Sequence, residues 1–382
     1  VASIINSDSG ITSGSAGLSF SSDNSGNLKI QTDGKDALSI TTDKKIGMGT
    51  SAPNVSLDMT ARTDAIILPV GTTAQRPSAP VGGMMRYNTS INSVEFYNDL
   101  AGTWSMAVGF MASGGTITTS GSYKVHSFTT SGTFTVTAGS AIVDYLIVAG
   151  GGSGAHRHGG GGGGGGVLSG SMTLSLGSYA IVIGAGGTVA WPAGGIDANG
   201  ANGSNTTALG LTAIGGGAGG GNGGLATTGG SGGGAGERTN GTSGAAGTTG
   251  QGNAGGWVPS TSYGGAAGGG GAGAVGGNGS NPLGTAGNGG NGVQSSITGT
   301  ATWYAGGGGG GGYSGGTNPV TAQSAGGQGG GAAGGPLNNT KAPDGTANTG
   351  GGGGGGMTNG TVSNGQGGSG GSGIVIIRYL AS

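Results

Sequence analysis

From Gly150 to Gly373 the chain is a glycine field, and no other feature restricts its folding as much. Of its 382 residues 107 are glycine, many of them in the uninterrupted runs Gly159–Gly166, Gly306–Gly312 and Gly350–Gly356. Glycine loses more backbone freedom on folding than any other residue, so a tract of this kind is ordinarily a flexible linker. Three features argue that this one folds. It is nearly uncharged, whereas disordered segments usually carry excess charge. Large aromatic residues (Trp191, Trp257, Trp303, Tyr304, Tyr313) punctuate it, and a linker has no use for them. Two apolar strands bracket it, Val143–Ala149 and Gly373–Leu380, and the second must return to pair with something.

Glycine runs leave few choices of backbone. Collagen is excluded, because no sustained glycine-every-third-residue period with interleaved proline exists. Ordinary helix and sheet are both poor, since glycine is unfavourable in either and offers no side chain to pack. The remaining expectation is the left-handed, three-residue-per-turn polyglycine II helix, in which eight glycines span roughly 25 Å. Its amides and carbonyls point outward and must be met by neighbouring backbone. Pure runs are then expected at the centre of a bundle, and mixed runs such as Gly264–Gly268 at its surface.

The segments "SGTFTVTAG", "VDYLIVAGGGSG" and "RHGGGGGGGG", with the terminal "GGSGIVIIRYL", resemble the glycine-rich domain found at the ends of phage tail fibres. They are similar in style to the polyglycine sandwich of tail-fibre adhesins. The resemblance runs from about Tyr123 to the end of the sequence. It implies a polyglycine II-type receptor-binding tip on a virion fibre.

The rest of the chain reads as short β modules. Residues 1–60 carry apolar–polar–apolar triplets about ten residues apart: Leu18–Phe20, Leu28–Ile30, Leu38–Ile40, Ile46–Met48 and Leu57–Met59. Alternation of this kind marks half-buried strands, and the Asp, Asn, Gly and Ser between them mark turns. Each triplet has two inward residues, too few for a monomer's core, so a parallel homotrimer is expected to supply the rest. "DKKIGMGTSAPNVSLDM" resembles phage fibre-shaft modules. Residues 61–108 predict a small hairpin module, with strands around Met84–Tyr87, Val94–Tyr97 and Thr103–Ser105 after the rigid Arg76–Pro80 segment. "RPSAPVGGMMRYNTSINSVEFYND" also resembles a phage-fibre element. A linker over 109–121 leads into the glycine-rich domain, 122–382, with strands expected near 124–184 and 374–380. The fold class is therefore mostly β and irregular: trimeric β shaft modules, then a small β-sheet domain carrying a bundle of polyglycine II helices.

Composition removes several function classes. There is no cysteine, hence no disulfide framework and no thiolate metal site. A formal charge of −1 gives no support for nucleic-acid binding. No apolar run approaches the ~20 residues of a membrane span, so membrane insertion is not expected. No signal peptide is visible, which fits assembly inside a host cell and release by lysis. Val1 rather than Met opens the sequence, consistent with an upstream portion that is missing or removed. No carboxylate pair or nucleophile elbow is found and the glycine runs lack the P-loop pattern, so no enzyme activity is expected. Glu237-Arg238 reads as a solvated pair at a loop tip.

Two sets of side chains remain as candidate sites. His156 and His158, in Gly-Ala-His-Arg-His, match a G-x-H-x-H pattern that holds an octahedral metal on the axis of T-even-type long tail fibres. The resemblance implies a candidate axial metal ion, while a polar turn before the first glycine run explains the same residues. No other cofactor is expected. The interruptions of the glycine field supply the second set: Trp191, Arg238, Trp257, Tyr263, Trp303, Tyr304 and Tyr313. A rigid scaffold presenting loops with Trp and Tyr is a common way to build a recognition surface; shielding of the bundle ends explains the aromatics equally well. The leading expectation is a phage fibre protein, on the virion and extracellular, that binds a host-surface glycan or outer-membrane protein. Other virion proteins would meet its N-terminal end. The alternative is a purely structural virion or extracellular filament component. An ice-binding bundle would call for a flat array of regular outward residues, which is not evident.

Overall fold

The computed structural model describes residues 19–20, 27–32, 35–107, 109–189, 198–238, 243–259, 264–280, 284–315, 319–337, 340–359 and 365–381. The chain divides into two compact units, Val1–Pro69 and Val70–Ser382.

In the first unit five short strands, β1 (Ser19–Phe20), β2 (Leu28–Thr32), β3 (Lys35–Ile40), β4 (Ile46–Met48) and β5 (Leu57–Asp58), form one sheet in sequence order. Register aligns Leu28 with Ile40, Ile30 with Leu38, Leu38 with Met48, and Ile46 with both Ile40 and Leu57. One face is therefore apolar, yet Leu28, Met48 and Leu57 remain exposed. It is the other face that is covered, and its buried side chains are polar. Ser39 donates to the Thr50 carbonyl at 2.6 Å. Asp58 accepts from the Asn54 amide at 2.8 Å and from the Thr60 amide and hydroxyl at 2.9 and 2.6 Å. These donors, the Asn54 amide foremost, pull the Asp58 carboxyl down to about 2.

The second unit opens with a four-stranded sheet, β6 (Val70–Gly71), β7 (Met85–Asn88), β8 (Ser93–Asn98) and β9 (Thr103–Met106). Its last three strands form where apolar–polar alternation predicts them. Glu95 is fully buried there, bonded by Arg76 at 2.6 Å and by Asn88 at 3.0 Å. Burial opposes its ionisation, but Arg76, Asn88 and Arg86 outweigh this and hold the carboxyl below its ordinary range. Arg86 in turn donates to the Gln75 and Thr72 carbonyls.

Two five-stranded sheets follow. The first contains β10 (Met111–Ser113), β13 (Gly132–Ala138), β16 (Gly177–Val182), β17 (Thr206–Ala208) and β18 (Leu211–Ala213), in that spatial order. The second contains β11 (Thr116–Ser120), β12 (Tyr123–Phe128), β14 (Ala141–Val148), β15 (Val167–Leu174) and β23 (Ile374–Leu380), ordered β11-β12-β23-β14-β15. The strand that closes the glycine field thus sits at the centre of its sheet, antiparallel to both β12 and β14. Ala180–Val182, within β16, belongs to the first sheet.

This central sheet is buried on both faces, which is why β14 and β23 read as continuous apolar runs. Val143, Ile147, Val375, Ile377 and Tyr379 pack against Phe134, Val136 and Ile181 of the first sheet. Leu146, Val148, Ile374 and Ile376 face the other way, against Ile297 and Tyr304 from the glycine field. Within the first core His126 is fully buried; its Nδ1 donates to the Gly114 carbonyl at 2.7 Å and its Nε2 accepts from the Tyr379 hydroxyl at 3.2 Å, a pairing that suits the neutral ring. Phe134 meets the imidazole edge to face, with centroids 5.0 Å apart.

The glycine field corrects one expectation. Among the described residues the sole helical element is a three-residue 3-10 turn, Thr73–Gln75, and the glycine runs are assigned no helix. The polyglycine II bundle, and the polyglycine II-type tip that the resemblance implies, are overturned. The chain is mostly β and irregular. Small pairs complete it: β19 (Val293–Ser295) with β20 (Thr302–Tyr304), and β21 (Gly312–Tyr313) with β22 (Met357–Thr358).

The runs are held entirely from the side. In Gly159–Gly166 every amide donates to a different part of the chain, at 2.8–3.0 Å. Gly159, Gly162 and Gly165 donate to Gly356, Gly353 and Gly350; Gly160, Gly163 and Gly166 to Gly220, Gly217 and Ile214; Gly161 and Gly164 to Ala267 and Gly270. Its carbonyls accept from three further segments, through Gly152, Ser231 and Gly308 among others. Partners recur every third residue, so one run is tied to six neighbours in a lattice that leaves no room for a side chain. Mixed runs are not confined to the surface: Ala266 and Ala267 are fully buried.

Two predictions follow from this packing. A Cβ at Gly162 would fall on the Gly152 carbonyl and backbone atoms of Ser153, so Gly162→Ala must separate segments and break lateral bonds. Each lost bond leaves buried groups unsatisfied at about 1–3 kcal/mol. Gly162→Ala is expected to lower the melting temperature sharply, whereas Val275→Ala, at an exposed site, should not; equal shifts would refute the lattice as the source of stability. For His126, burial pushes the imidazole below its ordinary value of 6.5, offset in part by the Gly114 bond. The unfolded chain then binds the proton more readily, so stability is complete above pH 6.5 and falls as the pH drops below it. Denaturant midpoints across that interval are expected to show the slope, and His126→Gln to reduce it.

Candidate functional site

The segments of the lattice run between the sheet and an opposite end, and the hydrogen bonds show which loops gather there. Beside the sheet, Ala149 donates to Gly166 and Gly373 to Gly184. At the other end Glu237 donates from its amide to the His158 carbonyl, Gly264 donates to the Glu237 carboxylate, and Tyr313 donates to the Gly264 carbonyl. Trp257 joins them: Gly279 donates to its carbonyl, while its neighbour Val258 is buried against Ala235 and Ala267.

A buried polar cluster pins this end. His158 Nδ1 pairs with the Glu237 carboxylate and its Nε2 lies 3.1 Å from the Thr358 hydroxyl, all three side chains being essentially inaccessible. Tyr313 packs against the imidazole, its ring tilted by 34° with centroids 5.3 Å apart. His158, Arg157 and Arg238 all take positive φ (55°, 29° and 58°), so the backbone turns sharply on both sides of the pair. Glu237 is therefore no solvated loop-tip residue; it is buried and bonds His158 and Gly264, both remote in sequence. His156 is equally buried, its Nδ1 accepting from the Gly367 amide at 3.4 Å. Both histidines find partners within a single chain, and among the described residues no group of three or more His, Asp or Glu side chains is gathered to hold a metal.

The seven candidate recognition residues are divided by the fold. Arg238 and Trp257 are exposed at the loop end, and Tyr313 is half-buried beneath them. Trp303 and Tyr304 lie on β20 at the sheet end; Tyr304 is buried in the core with Leu146 and Ile376, whereas Trp303 is half-exposed opposite Gln294. Trp191 and Tyr263 fall outside the described residues. Aromatic identity alone gave no sign of which end each would occupy. Thr358 and the partner role of Glu237 went unnoticed in the sequence, because their link to His158 spans the whole glycine field.

A family model described as a glycine-rich domain matches residues 129–380, well over half of the chain. The chain belongs to this glycine-rich domain family. Its match begins beside β13 and ends at the last residue of β23, so it takes in both sheets' central strands together with the lattice between them. No curated protein matches the chain.

Removing one member of the buried pair should leave polar atoms of the other without a partner, at about 1–3 kcal/mol. Glu237→Ala and His158→Ala are each expected to destabilise the domain, and the double variant to cost much less than their sum. Additivity in denaturant unfolding would show that the two side chains act independently.

Proposed function

We propose that the chain is a fibre protein of a phage virion, on tail or head, whose glycine-rich domain binds a host-surface receptor. One observation carries this reading. The loop end is borne by a scaffold whose segments are joined backbone to backbone, and it leaves the large side chain of Trp257 exposed. An exposed tryptophan offers contact area to a sugar ring or to an outer-membrane protein. A second reading makes the chain a purely structural virion or filament component; burial of Val258 and the packing of Tyr313 against His158 favour it, since both cap the lattice end.

The first unit supports a homotrimer. Its apolar sheet face, with Leu28, Met48 and Leu57 open to solvent, is the kind of surface that a second and third copy would cover. In this reading the protein is extracellular, as part of a virion, with other virion proteins at the N-terminal end.

Adsorption of the purified protein to host cells tests the proposal. Trp257→Ala is expected to melt with the parent and to lose binding, and light scattering on the same preparations to give the mass of three chains. A folded Trp257→Ala and Arg238→Ala pair that both adsorb fully would favour the structural reading, and a monomeric mass would remove the trimer.

A further inference from the structure

A groove of about 390 Å³ lies at the sheet end, between β15, the turn around Gly250 and the β19–β20 hairpin. Its floor is apolar, made by Leu146 and Val167 of the central sheet with Ala272 and Val293. Its walls carry three amide side chains, Gln251, Asn253 and Gln294, and the hydroxyls of Ser169 and Ser295. No charged side chain is among those that line it.

Two of the amides are held in fixed orientation by backbone. Asn253 donates both Nδ2 hydrogens, to the Gly271 and Ala272 carbonyls at 3.0 and 3.1 Å, which leaves its Oδ1 as an oriented acceptor. Gln251 accepts the Ile214 amide at 2.8 Å and donates to the Thr212 carbonyl at 3.2 Å, which leaves one N–H as a donor. The groove thus combines pre-placed neutral donors and acceptors with an apolar floor, in a volume within the ~300–1,000 Å³ usual for small-ligand sites. Hydroxyl groups satisfy both kinds of partner, and the apolar face of a sugar ring suits the floor. A charged ligand would find no counter-ion.

We propose that this groove binds an uncharged saccharide. The site is separate from the loop end, and it does not depend on the receptor role assigned there: loss or retention of adsorption in the Trp257 variant leaves the groove unchanged.

Saturation-transfer NMR on the full chain tests the proposal, with cellobiose, lactose, maltotriose and N,N′-diacetylchitobiose as neutral probes and glucuronic acid as the charged control. At least one neutral probe is expected to bind, and glucuronic acid is not. Ser169→Trp, at an exposed position opposite Leu146, should fill the groove and abolish the signal without changing the melting temperature. Gln294→Ala gives a second, milder variant, expected to weaken binding about tenfold through its lost hydrogen bond. Absence of binding by all neutral probes, preference for the charged sugar, or equal binding in both variants would each overturn the proposal.

Discussion

A buried amide or carbonyl without a partner is costly, and a glycine run has nothing but amides and carbonyls to offer. The second unit of this protein is organised by that constraint. Each segment of the field finds its partners on other segments, so the stability that most domains draw from apolar side chains comes here from lateral hydrogen bonds. The same constraint explains why a single added methyl is expected to be costly. At Gly161, Gly163 and Gly165 alike, a Cβ would land on a carbonyl of another segment.

A lattice of this kind needs an anchor, because no single segment is stable alone. The central sheet supplies it. β14 enters the field and β23 leaves it, and the two pair directly with Leu146 opposite Ile376 and Val148 opposite Ile374. Apolar packing on one side of this sheet builds the β core with His126, and on the other it grips Ile297 and Tyr304. The sheet end is consequently held by apolar side chains around Ile297 and Tyr304, whereas the far end is fastened by the His158–Glu237–Thr358 cluster.

This division bears on function. At the sheet end Tyr304 is consumed by packing. At the loop end Trp257 is exposed while the polar cluster around His158 and Glu237 keeps the turns in place. Under the proposed receptor role, loop side chains could change without disturbing the base that carries them.

Several features were legible in the sequence because they depend on local pattern. Alternation at Met85–Asn88, Ser93–Asn98 and Thr103–Met106 is a property of two-sided strands, and the unbroken apolar runs of β14 and β23 signal a sheet buried on both faces. That uncharged, aromatic-punctuated glycine should fold also followed from composition. Tertiary structure alone decided the rest, for physical reasons. Glycine has no side chain to record its neighbours, so nothing in Gly159–Gly166 announces the six segments that it bonds, or shows that it lacks a regular helix. Burial of Ala267 and of Glu237 likewise depends on which remote segment lies alongside. Trp257 and Trp303 are alike in sequence; only the direction of each chain crossing sets one at the loop end and the other beside the sheet.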